Sequence, residues 1–134
     1  MEYVISEEQL EILENVLRED FIELGVHSAI LIDMAGNIIA DLDNNKTQHD
    51  VFSLAALAAG NFGAVSAMAQ IIGEADFPLL FHKGEKESMH FSKIMNDFLL
   101  ITIFGRETSL GLVRLKVAEA TGKLEEVLES LISK

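Results

Sequence analysis

The sequence contains no cysteine, a single proline and only ten basic residues among 134. Without cysteine there is no disulfide framework, no thiolate nucleophile and no cysteine-bearing zinc site. The ten lysines and arginines face 22 acidic residues, leaving a formal net charge of −12. Polyanions are bound by neutralising phosphates with cations, so nucleic acid is excluded as a partner and an anionic membrane surface nearly so. No run approaches 18 uninterrupted apolar residues, so no membrane span or insertion is expected. The segment from Met1 to Glu8 lacks the basic and apolar regions of a secretion signal. Apolar residues nevertheless make up 49% of the chain, enough for a core of its own and against disorder. These features together predict an acidic, cytoplasmic, single domain over residues 1–134.

Helices announce themselves by caps and by apolar spacing of three and four. Ser6 and Gln9 form a capping box, with Ile5 and Leu10 placed as a hydrophobic staple. Leu10, Leu13, Val16, Leu17, Phe21 and Leu24 then make one stripe, predicting a helix α1 over Glu7–Leu24 closed by Gly25. A second helix, α2, is predicted from about Asp50 to Ile72, capped by Thr47 or Asp50 and stopped by Gly73. Leu54, Ala58, Val65, Met68 and Ile72 read as its core stripe; Ala56, Gly60, Gly63 and Ala67 form a face of small residues. A third, α3, is predicted over Leu110–Ser133, burying Val113, Val117, Ala120, Leu124, Val127, Leu128 and Leu131.

Between the helices lie five candidate strands. Ser28–Ile32 and Asn37–Leu42 flank Asp33-Met34-Ala35-Gly36, a turn opened by aspartate and closed by glycine. The first strand is apolar on both faces and reads as central; the second carries Asp41 with Asp43 just beyond it, and reads as an edge. Phe77–His82, Ser88–Ile94 and Phe98–Phe104 follow with short polar connections, the last the most apolar and central. The predicted order is α-β-β-α-β-β-β-α, an α+β sandwich with one mostly antiparallel sheet.

One rim of that sheet reads as unprotected. Pro78 suits an edge or a strand start, yet Leu79, Leu80 and Phe81 bring no charge to it, and a bare apolar edge is a template for pairing. Two glycines inside a helix cost about 1 kcal/mol each against alanine, which is tolerated where something comes close. Edge and small-residue face are explained together by an isologous homodimer through Leu79, Leu80, Phe81, Ala56, Gly60, Gly63 and Ala67. The alternative is that the alanine face lies flat on the sheet and a loop covers the edge.

Catalytic patterns are sparse. Gly60 and Gly63 lie mid-helix and no phosphate-loop motif follows them. Of the histidines, only His82 and His90 are placed to meet, without a third ligand, so no metal site is expected. No nucleophile elbow is present, and no cofactor is implied. The glutamates of α1 and α3 read as solvated faces. Arg106, in a loop before a helix, suits either a solvated residue or an arginine donated to a partner's phosphate.

Three segments, in this order, resemble the Roadblock/dynein light chain family and most nearly its bacterial MglB-like branch. They are Ile32–Ala40 at the first hairpin, the alanine-rich stretch from Leu54 through Glu74, and Thr108–Arg114 at the start of the last helix. The resemblance implies a five-stranded sheet with α2 on one face and α1 and α3 on the other. It also implies a homodimer with a continuous ten-stranded sheet, and binding to a Ras-like small GTPase. Members are regulators without an active site of their own and are not thought to insert an arginine. The partner-facing surface is then expected around α2, with Asn61, Ser66 and Gln70 as polar candidates. The alternatives are a dimeric scaffold that leaves turnover unchanged and a small-molecule sensor, the latter requiring a cavity lined by convergent polar groups.

Overall fold

The computed structural model describes residues 3–46, 49–75 and 80–132. Its elements are α1 (Glu7–Asp20), a 3₁₀ turn (Ile22–Leu24), β1 (Ser28–Asp33), β2 (Ile38–Asp43), α2 (Val51–Ile71), β3 (Leu80–Lys83), β4 (Glu87–Ile94), β5 (Phe98–Gly105) and α3 (Leu110–Ile132). The strands form one antiparallel sheet in the order β2-β1-β5-β4-β3. The predicted element order and α+β sandwich are therefore those observed.

Local chemistry accounts for most boundaries. The Ser6 hydroxyl accepts from the Gln9 amide, and the Gln9 side chain accepts from the Ser6 amide, so the capping box is complete. The helix it starts ends earlier than the stripe predicted, at Asp20 rather than Leu24. The Phe21 backbone leaves helical geometry, and its buried ring is held in the core while Ile22–Leu24 tighten into the 3₁₀ turn. Gly25, at φ 99°, closes that turn from the left-handed region where glycine carries no steric penalty.

In the first hairpin, the Asp33 carboxylate accepts from the amides of Ala35 and Asn37, the Asn37 side chain and the Tyr3 hydroxyl. Burial alone would raise its pKa, but these four donors hold it below the usual carboxylate range. The Tyr3 hydroxyl, buried and bonded to that carboxylate, is pushed up to about 12. Gly36 takes φ 90°, and a Cβ there would lie 3.2 Å from the Ala56 Cα, so the turn sits close against α2.

Two cores lie on the two faces of the sheet. On one, α1 and α3 bury Leu13, Leu17, Val113, Val117, Leu124 and Leu128 over Leu31, Ile94, Leu100 and Phe104. On the other, α2 lays Ala55, Ala58 and Phe62 over Ile30, Ile32, Phe91, Leu99, Ile101 and Ile103. Every residue of β1 and β5 is buried, as expected for strands covered on both sides. The buried stripe of α3 is the predicted one, residue for residue.

Candidate functional site

The stripe that fastens α2 to the sheet differs from the one the sequence predicts. Its buried positions are Ala55, Ala58, Phe62 and Ala69. Of the predicted stripe only Ala58 is buried; Leu54 and Val65 are half-covered, while Met68 and Ile72 are exposed. The reason is the spacing between helix and sheet. Alanines let the helix backbone approach the sheet, and one phenyl ring fills the remaining gap. Large aliphatic side chains on that seam would hold the layers apart.

The larger side chains consequently point outward. Phe52 is 78% exposed, Leu57 72%, Ile71 83% and Ile72 68%. Ala56, Gly60, Gly63 and Ala67 are exposed on the side away from the sheet, and nothing lies within 4 Å of a Cβ built on either glycine. This helix is also long and apolar enough to cross a membrane by length and composition, with mean hydropathy 1.6. That qualifies the expectation of no membrane-length segment, although here the helix lies along a sheet. Small residues and large apolar ones therefore share an open helix face, the kind of surface that marks an interaction site.

The polar candidates on α2 do not converge. Nine residues at about 100° each place Asn61 and Gln70 on opposite flanks of the helix, both exposed. Ser66 is half-buried on the sheet side, beside Met34 and Phe62.

β3 is an edge strand, pairing only with β4 among the described residues. Leu80 is half-buried against the α2-side core, and Phe81 lies on the opposite face, its ring stacked on Phe104 at 6.1 Å between centroids. The proposed edge residues Phe77, Pro78 and Leu79 lie outside the described residues, as do the alternative cap Thr47 and Ser133. Asp50 does cap α2, its carboxylate accepting from the Ser53 amide and hydroxyl.

The histidines that meet are not the expected pair. His90 stands opposite Phe81 and His82 opposite Met89, and residues one step apart in register project to opposite faces. The His82 ring packs edge-on against Phe91. His90 is buried at 4% exposure; its Nδ1 has no partner among the described residues, and burial, then the Arg114 charge, lower its pKa.

His27 instead lies between two carboxylates at one end of the sheet. Its Nδ1 is 2.7 Å from Glu87 Oε2 and its Nε2 2.5 Å from Glu107 Oε1, while His49 Nε2 is 3.1 Å from Glu87 Oε1. Sheet order assembles this group. The His27 amide donates to the Ile103 carbonyl at the end of β1, and Glu87 pairs with Gly105 across β4 and β5. Burial opposes charge on the His27 ring, but the bonds to Glu87 and Glu107 outweigh it and raise the pKa. Burial likewise opposes charge on Glu87, and its two histidines prevail and lower it. Among the described residues no group of three or more has the arrangement to hold a metal ion. The network ties the segment before α2, through His49, to the sheet. No sequence spacing announces it, since its members are far apart in the chain.

Arg106 is tied to the β3–β4 hairpin, its Nε donating to the Glu85 carbonyl at 2.6 Å.

The family model for the Roadblock/LC7 domain matches residues 12–104, more than half of the chain. Among solved structures, MglB of Myxococcus xanthus is 35% identical, covers 98% of both chains and superposes with a TM-score of 0.84. The gliding protein MglB of Thermus thermophilus is 28% identical over 96% of both chains, with a TM-score of 0.85. An MglB described in a tetrameric arrangement is 29% identical over 96% of both chains, with a TM-score of 0.80. Among curated proteins none matches the chain.

Proposed function

The chain belongs to the Roadblock/LC7 family, and on that ground we propose that it is a single-domain, cytoplasmic, homodimeric regulator of a Ras-like small GTPase. The observation that carries this reading is the open outer face of α2. Phe52, Leu57, Met68, Ile71 and Ile72 are exposed there beside Gly60 and Gly63, a costly arrangement for a lone protomer and a suitable one for close helix pairing. The β3 edge, through the backbone at Leu80 and Phe81, provides the second half of the seam, so that α2 meets α2 and edge meets edge across a two-fold axis. Likeness to MglB proteins along nearly the whole chain supports the same assignment.

The regulator has no reacting group of its own. It raises the partner's hydrolysis rate by holding the partner's catalytic groups in their productive geometry, with the paired α2 helices and Asn61, Ser66 and Gln70 as the docking surface. The net charge of −12 steers a partner through a basic face.

The test combines the purified chain with the Ras-like GTPase encoded beside it, measuring complex formation and phosphate release. Binding with faster release is the expected result. Binding without acceleration would assign the chain to the scaffold reading, and absence of binding to either nucleotide state would overturn the proposal.

A further inference from the structure

Cations are scarce in this chain, yet three of the ten line one cleft. The cleft, about 740 Å³ in volume, opens where the β3–β4 hairpin, the end of β5 and the start of α3 meet. Lys83, Lys86 and Arg106 stand around it with one carboxylate, Glu85, so that cations outnumber acids three to one over an apolar surface of Phe81, Phe104 and Leu110. The hydroxyl residues Ser88 and Thr108 also face into it.

Elsewhere in the chain two lysines hold carboxylates of their own. Lys116 pairs with Glu119 at 2.9 Å, and Lys123 with Asp20 at 3.1 Å. Lys83, Lys86 and Arg106 form no ion pair among the described residues. The reason lies next door: Glu87 and Glu107, adjacent in the chain to Lys86 and Arg106, are turned to His27. The bond from Arg106 to the Glu85 carbonyl fixes the guanidinium between the two loops. Positive charge is thus gathered and held above an apolar surface.

We infer that this cleft binds a small organic phosphate, its head between Lys83, Lys86 and Arg106 and its apolar body on Phe81, Phe104 and Leu110. Three cations and two hydroxyls suit a head of nearly two negative charges with three acceptor oxygens. A carboxylate, with one charge and two oxygens, would leave part of this set unused. The volume falls in the range of small-molecule sites. Leu110 is the first residue of α3, so the positive end of a 23-residue helix adds to the attraction. Phe81 and Phe104 belong to the core on the α1 and α3 side of the sheet, so the cleft faces away from α2 and, although Phe81 and Lys83 also belong to the β3 edge, it does not rest on the GTPase reading.

The probe is phenyl phosphate, titrated into the full chain and followed by backbone amide NMR shifts, with benzyl alcohol as the uncharged control. Saturable shifts confined to the neighbourhood of Ser88, Gly105, Thr108 and Leu110 are expected, with a dissociation constant of about 1 mM or tighter. Lys86→Gln should weaken binding at least about fivefold, and Lys83→Gln with Lys86→Gln should abolish it; both lysines are exposed, and retained amide dispersion verifies the fold. Benzyl alcohol should leave these amides unmoved. Absent shifts, shifts scattered over the surface, or shifts unchanged in the double variant would overturn the inference. So would a silent phenyl phosphate titration alongside co-flotation with phosphatidylglycerol vesicles, which would make the cations a lipid-headgroup surface.

Discussion

Gly60 and Gly63 stand inside a 21-residue helix with open space where their Cβ atoms would be. Nothing within the described protomer requires a glycine at either position, and alanine there would favour the helix by about 1 kcal/mol. Gly63→Leu should therefore leave the folded protomer intact while weakening self-association at least about tenfold by sedimentation; wild-type dimer affinity in that variant would place the contact on another face. His27 makes a different prediction. Its folded pKa is raised above the ordinary 6.5, so its stabilising effect is complete below that value and fades as pH rises through the folded pKa. Glu87 is lowered from 4.5, so its effect is present above 4.5 and fades as pH falls through the folded value. The network should be strongest between these limits. In urea titrations the wild type should lose stability as pH rises above about 6.5 and His27→Gln should lose less; identical profiles would remove the network from the stability balance.

At the scale of elements, legibility follows how one-sided each is. α3 has charged residues between its apolar positions, so a single stripe was readable and its seven positions are all buried. α2 is apolar almost all round, and side-chain size then misleads: its seam takes alanines, and its larger residues face outward. The early end of α1 depends on where the Phe21 ring is held, which the spacing of Leu17, Phe21 and Leu24 does not show. The group of His27, His49, Glu87 and Glu107 exists only because β1, β5 and β4 are neighbours, a property of sheet order. Element order, the Asp33 turn and the edge position of the β3 rim were legible because they rest on local chemistry, although the strand runs Leu80–Lys83 and so includes exposed His82 and Lys83. That rim gives its own prediction. Leu80 lies half-buried on the α2 side of the edge strand, so Leu80→Lys should place charge at the seam and release monomers in light scattering. An unchanged dimer mass would count against the edge as part of the interface.

For the whole molecule, the features gather on distinct surfaces. The outer face of α2 is apolar and lined with small residues; the β3 rim continues it, and the cationic cleft opens on the opposite side of the sheet. With so few cations in the chain, the three at one cleft outnumber its single carboxylate, Glu85, on an otherwise acidic body. The functional reading depends on the protomer being one half of an assembly. Light-scattering mass of the purified chain at micromolar concentration tests this directly. The expected mass is twice the 14.8 kDa of a single chain, and a stable particle of 14.8 kDa would overturn the dimer.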